Sequence, residues 1–136
     1  MNVLIKSATI LDKKSDFNNT VQDILVENGF IKKIEPSINN TQNFPLINFE
    51  NLHISQGWFD SSVCFGEPGY EDRETIKNGL IVAAKSGFTS VVLQPNTSPV
   101  LDEKSAISFV KNNSTKNATT ILPSGALTKS SEGNNL

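Results

Sequence analysis

The alternation of element types between residues 57 and 123 constrains this chain most. Trp58-Phe-Asp-Ser-Ser-Val-Cys-Phe reads as a short, mostly apolar strand of the buried, parallel type. Residues 72–86 carry Ile76, Leu80, Ala83 and Ala84 at helical spacing, and Thr89 to Leu93 is a second β-branched run. Glu103 to Val110 repeats the helical spacing, with Ile107 and Val110 on one face, and Ala118-Thr-Thr-Ile-Leu-Pro is a third strand. Strands separated by helices cannot pair as hairpins; they need right-handed crossovers, which produce a parallel sheet and an α/β fold.

Local chemistry supports these boundaries. The first helix places Asp72 and Glu74 in its first turn and Lys85 in its last, matching the backbone dipole, and Gly87 suits the left-handed position just past its end. Glu67-Pro68-Gly69 and Pro95-Asn96-Thr97-Ser98-Pro99 follow the first two strands, at the end of the sheet where α/β proteins build their sites.

Upstream lies β territory. Val3, Ile5, Ala8 and Ile10 give an imperfect alternation. Asp23-Ile-Leu-Val-Glu and Phe30-Ile-Lys-Lys-Ile-Glu flank Asn28-Gly29, the dipeptide that best tolerates the positive φ angles of a two-residue hairpin. Pro36 ends that hairpin, and Leu46-Ile-Asn-Phe and Leu52-His-Ile-Ser read as two further short strands. Residues 1–53 therefore form an all-β segment, and residues 54–136 the βα units. Three parallel strands with two helices cover a sheet only in part, whereas a closed barrel uses eight strands. The chain reads as the N-terminal portion of a larger fold. The polar stretch from Ser130 to Leu136 stands where another helix is expected.

Charge and composition narrow the classes. Twelve basic against fourteen acidic residues give no basic excess, so nucleic acid is not an expected partner. A single cysteine makes no internal disulfide, Lys6 interrupts the first apolar run unlike a signal peptide, and no run approaches the roughly 20 residues that cross a bilayer. A cytoplasmic location is expected.

Gly57-Trp-Phe-Asp-Ser-Ser-Val-Cys-Phe-Gly-Glu-Pro-Gly, Glu74-Thr-Ile, Ala83-Ala-Lys-Ser-Gly-Phe-Thr-Ser-Val-Val, Gln94-Pro-Asn-Thr-Ser-Pro-Val and Gly125-Ala-Leu-Thr-Lys occur in that order. Together they resemble the dihydroorotases of the amidohydrolase superfamily, over essentially the whole chain. The resemblance implies a zinc-dependent (β/α)₈ barrel preceded by a small β-sandwich segment, and reversible cyclisation of carbamoyl aspartate to dihydroorotate in pyrimidine biosynthesis. Related hydantoinases open similar cyclic imides. Residues 1–53 would be the sandwich segment and residues 54–136 the first units of an incomplete barrel.

The same resemblance exposes a departure. Where the family's first barrel strand ends Asp-x-His-x-His-x-Arg, this chain has Asp60-Ser-Ser-Val-Cys-Phe-Gly, so Ser62 and Cys64 replace the zinc histidines and Gly66 the substrate-gripping arginine. Residues two apart on a strand share a face, so a histidine pair presents two nitrogens to one ion, whereas a serine hydroxyl is a poor zinc ligand. Without its metal the site cannot acidify a bound water, and Gly66 forfeits the charge-assisted fork to a carboxylate. Asn96 alone matches a substrate-binding position. Bland readings stand beside the others: Cys64 as a small buried thiol or a thiolate ligand, His53 as structural, Asp60 and Glu67 as strand and turn residues or an acid–base pair, and Asn96 as a turn former or a ligand contact.

Three functions are compatible with this pattern. The first is a non-catalytic dihydroorotase-like protein holding no cofactor; by resemblance it would scaffold aspartate carbamoyltransferase and be a homo-oligomer at full length. The second is an active cyclic-amide hydrolase whose altered metal site is completed by later residues. The third is a small α/β binding module complete as it stands.

Overall fold

A computed structural model describes residues 1–114 and 117–135. The chain divides into two compact units, Met1–Gln56 and Gly57–Leu136.

The first unit is one five-stranded sheet. Strands β1 (Val3–Leu11), β2 (Val21–Glu27) and β3 (Phe30–Glu35) form an antiparallel meander, and β4 (Leu46–Ile47) and β5 (His53–Ser55) both pair parallel with β1. Glu27 pairs with Phe30 across Asn28 (φ 53°) and Gly29 (φ 82°), the double positive-φ turn that this dipeptide favours. The imperfect alternation of β1 has a structural cause. A register shift between Ile5 and Ala8 coincides with Ser7 at φ 53°, so Val3 and Ile10 both reach the core with Ile24 and Val26 although their spacing is odd.

That bulge is clamped by Asp23, which is 2% exposed. Its carboxylate accepts from the Ser7 amide at 2.9 Å, the Ile38 amide at 2.8 Å and the Lys6 ammonium, which also donates to the Ile38 carbonyl at 3.2 Å. Burial by itself raises the pKa of this carboxyl. Hydrogen bonds from Lys6, Ser7 and Ile38, with the Lys6 charge, outweigh it and hold the group below its ordinary value.

The second unit is an α/β layer. Strands β6 (Trp58–Val63), β7 (Phe88–Leu93) and β8 (Thr120–Pro123) lie parallel in that order, with α1 (Ile76–Lys85) and α2 (Lys104–Asn113) in the crossovers. Side chains alternate across β7: Val91 and Leu93 are buried with Ile121, Ile76, Leu80, Phe65, Leu101 and Val110 in one core. Ser90 and Val92 belong to the other face, in register with Phe59, Thr120 and Leu122.

Several boundaries differ from those expected. The first helix begins at Ile76, not at residue 72, because Thr75 is its N-cap and accepts from the Asn78 amide at 3.2 Å; Asp72 and Glu74 thus precede the first turn. The first strand ends at Val63, and Trp58 and Phe59 are about 60% exposed rather than buried, being on an edge strand of a three-stranded sheet. Gly87 takes φ 88° just past α1, as its position demands. Within the polar C-terminal stretch a short 3₁₀ turn spans Lys129–Ser131; Leu136 lies outside the described residues. Among the described residues no helix is long and apolar enough to cross a membrane.

Candidate functional site

The loops following β6 and β7 meet at one end of the parallel sheet. Gln94 donates its amide to the Val63 carbonyl at 2.9 Å, which extends the β6–β7 pairing one residue past the strands. Cys64 and Asn96 then face each other: Asn96 Nδ2 donates to Cys64 Sγ at 3.2 Å, and both residues are exposed. Ser62 is exposed on the same strand, two residues before Cys64, and its amide donates to Asp60 Oδ1 at 2.9 Å. The structure therefore brings together Cys64 and Asn96, thirty-two positions apart, at the strand ends.

The other candidates have different occupations. Glu67 Oε2 accepts the Ile76 amide at 2.7 Å, satisfying one of the open donors at the start of α1, where a carboxylate also meets the helix dipole. Asp60 is turned onto the Ser62 amide, so each carboxylate serves its own backbone segment rather than forming an acid–base pair. His53 lies in β5 of the first unit, with its ring Nδ1 at 2.7 Å from the Asn51 carbonyl. Cys64 is exposed, not a buried thiol, because β6 stops before it and its side chain projects from the strand end.

The loop between β6 and α1 is tightly fixed. Gly66 has φ 99°, and its carbonyl accepts the Tyr70 amide at 3.0 Å. Ser98 donates to the Pro68 carbonyl at 2.9 Å, and Gly69, at φ 97°, lies so close that a Cβ there would overlap the Ser98 carbonyl. Arg73 stacks its guanidinium 4.3 Å from the centre of the Tyr70 ring. The Gly66 conformation and the Ser98 approach escaped the sequence, in which Gly66 registers only as a missing arginine.

Ser62, Cys64 and Asn96 do not by themselves make a zinc site. The strand end offers a hydroxyl, one thiol and a carboxamide, where tetrahedral zinc takes imidazoles, thiolates and carboxylates. Among the described residues no three His, Cys, Asp or Glu side chains cluster to hold an ion.

Residues 53–136 match the family model described as dihydro-orotase-like. Over its full length the chain is 37% identical to a dihydroorotase of Pelotomaculum thermopropionicum and 36% identical to one of Ruminiclostridium cellulolyticum, covering 31% and 32% of those proteins. The chain thus spans about a third of the length of the curated relatives it matches. In structure it is similar to L-hydantoinase from Arthrobacter aurescens, with a TM-score of 0.75 at 20% identity over 91% of this chain and 27% of that one. Molinate hydrolase follows the same fold with a TM-score of 0.58 at 17% identity, over 93% of this chain and 30% of that one.

Proposed function

This chain belongs to the dihydroorotase-like family, and we propose that within it the protein is a non-catalytic member. The unit Met1–Gln56, which extends past the expected boundary at residue 53 because Ile54 and Ser55 pair with β1, supplies part of a β-sandwich, and the unit from Gly57 supplies the first units of a (β/α)₈ barrel. One observation carries the reading. The end of β6 presents Ser62 and Cys64, with the Asn96 amide on the cysteine sulfur, where the family resemblance places two zinc-binding histidines. A hydroxyl and a single thiol do not make the paired-nitrogen site that such chemistry needs, and Gly66 offers no cation to a substrate carboxylate. The frame persists around them, with Glu67 holding α1 and Pro68 joined to Ser98.

A fold kept without its ligands suits a structural or regulatory task. By the family resemblance, the partner is aspartate carbamoyltransferase, the setting the cytoplasm, and the assembly a homo-oligomer. Asn96 is the remaining contact for a bound ligand.

The test is metal analysis and a dihydroorotate hydrolysis assay on the full-length protein, with a histidine-bearing relative as the positive control. The expected result is substoichiometric zinc and no turnover above background. Stoichiometric zinc together with turnover would overturn the proposal.

A further inference from the structure

Positions 62, 64 and 66 differ in kind. Ser62 and Cys64 are exposed, with the backbone of β6 running extended beneath Ser62, so larger side chains have room. Gly66 is buried and sits at φ 99°, beyond the small left-handed region that other residues tolerate. A Cβ built there would lie 2.7 Å from the Tyr70 carbonyl oxygen and 3.3 Å from the Tyr70 Cβ.

That carbonyl has little freedom to yield. Tyr70 O accepts the Arg73 amide at 3.0 Å, while the Tyr70 amide is donated back to Gly66 O at 3.0 Å. Between Gly66 and Tyr70, Glu67 is tied to the Ile76 amide and Pro68 to the Ser98 amide. A side chain at 66 thus meets an unfavourable backbone angle and a carbonyl already engaged in a turn.

We infer that position 66 is closed to side chains by the backbone of the β6–α1 loop, so no residue can present a ligand-binding group there unless the loop is rebuilt. The ends of β6 and β7 then offer the hydroxyl, thiol and carboxamide of residues 62, 64 and 96, and returning side chains one at a time cannot add a cation at residue 66. The inference rests on the proposed reading of this strand end as the frame of a site, and it concerns the backbone rather than turnover.

The experiment uses the full chain and the variants Gly66→Ala, Ser62→Ala and Cys64→Ala. Thermal unfolding followed by Trp58 fluorescence is combined with amide hydrogen exchange at Tyr70 and Ile76. Gly66→Ala is expected to lower the midpoint by about 5 °C or more. It should also speed exchange at both amides about tenfold, whereas the other two variants stay within about 2 °C of the parent. A Gly66→Ala protein that fails to fold beside folded Ser62→Ala and Cys64→Ala supports the same conclusion. A Gly66→Ala protein with the parent's midpoint and exchange rates overturns it. Zinc content and turnover are read elsewhere, so this inference and the proposed function can fail independently.

Discussion

Removing Asp23 probes the first unit at its most costly point. Asp23 is 2% exposed, and its carboxylate takes two backbone amides, at 2.9 and 2.8 Å, besides the Lys6 ammonium. Asp23→Ala strands the buried Ile38 donor and takes one acceptor from the amide of exposed Ser7 and from Lys6, whose side chain is 26% exposed and keeps its bond to the Ile38 carbonyl. A stranded buried donor costs about 1–3 kcal/mol, and a part-exposed pair adds less than the about 3–5 kcal/mol of a fully buried one. A total near ~3 kcal/mol follows, a large share of the roughly 5–15 kcal/mol that holds a domain folded. Asp23→Asn keeps one acceptor oxygen and is expected to lose about half as much.

Acid supplies an independent check. Because the native carboxyl titrates below its ordinary value of 3.8, the folded state binds fewer protons than the unfolded one as the pH drops. The stability contributed by Asp23 is thus complete above the unfolded value and is lost as pH falls through the lower native one. Asp23→Asn should flatten that part of the acid limb. The single Trp and Tyr, at 58 and 70, both lie in the second unit, so urea unfolding of the first must be followed by far-ultraviolet circular dichroism or by exchange at the Ser7 and Ile38 amides. A loss below about 1 kcal/mol for Asp23→Ala, within the range of an ordinary surface change, would refute the reasoning, as would an unaltered acid limb in Asp23→Asn.

Two further substitutions test how the second unit is held. Glu67→Ala removes the acceptor from the Ile76 amide and is expected to cost about 1–2 kcal/mol in Trp58-monitored unfolding, the range of a lost N-terminal cap; unchanged stability would mean the carboxylate serves something other than the helix. Gly79→Ala improves helix propensity by up to about 1 kcal/mol. Its Cβ, however, would lie 2.6 Å from the buried Phe65 ring, and overpacking of that kind costs about 1–3 kcal/mol. Net destabilisation in the same denaturant titration is the expected outcome, and a more stable variant would show that the helix and ring separate freely.

The candidate site was only partly legible in the chain. Cys64 and Asn96 stand out because each follows a β-branched or apolar run, and parallel strands place such ends together. Their mutual hydrogen bond depends on β6–β7 register, including irregularities between Trp58 and Phe59 and between Asp60 and Val63 that no sequence spacing reveals. Glu67 looks like a turn residue in the sequence. Its side chain's reach to Ile76 follows from the loop's path across nine positions.

What the sequence determined by itself is what short-range backbone chemistry and side-chain period control. Asn28-Gly29 specified its hairpin because both residues tolerate positive φ, Gly87 ended α1 for the same reason, and the change from β-branched runs to helical spacing dictated parallel strands with helical crossovers. Tertiary structure decided the partners. The parallel attachment of β4 and β5 to β1, the burial of Asp23 between Ser7 and Ile38, and the closure of position 66 against the Tyr70 carbonyl all join segments whose meeting no local preference encodes. Such contacts are selected by the free energy of the whole fold, and that energy placed a hydroxyl, a thiol and an amide at the strand ends, in a frame that does not admit a side chain at residue 66.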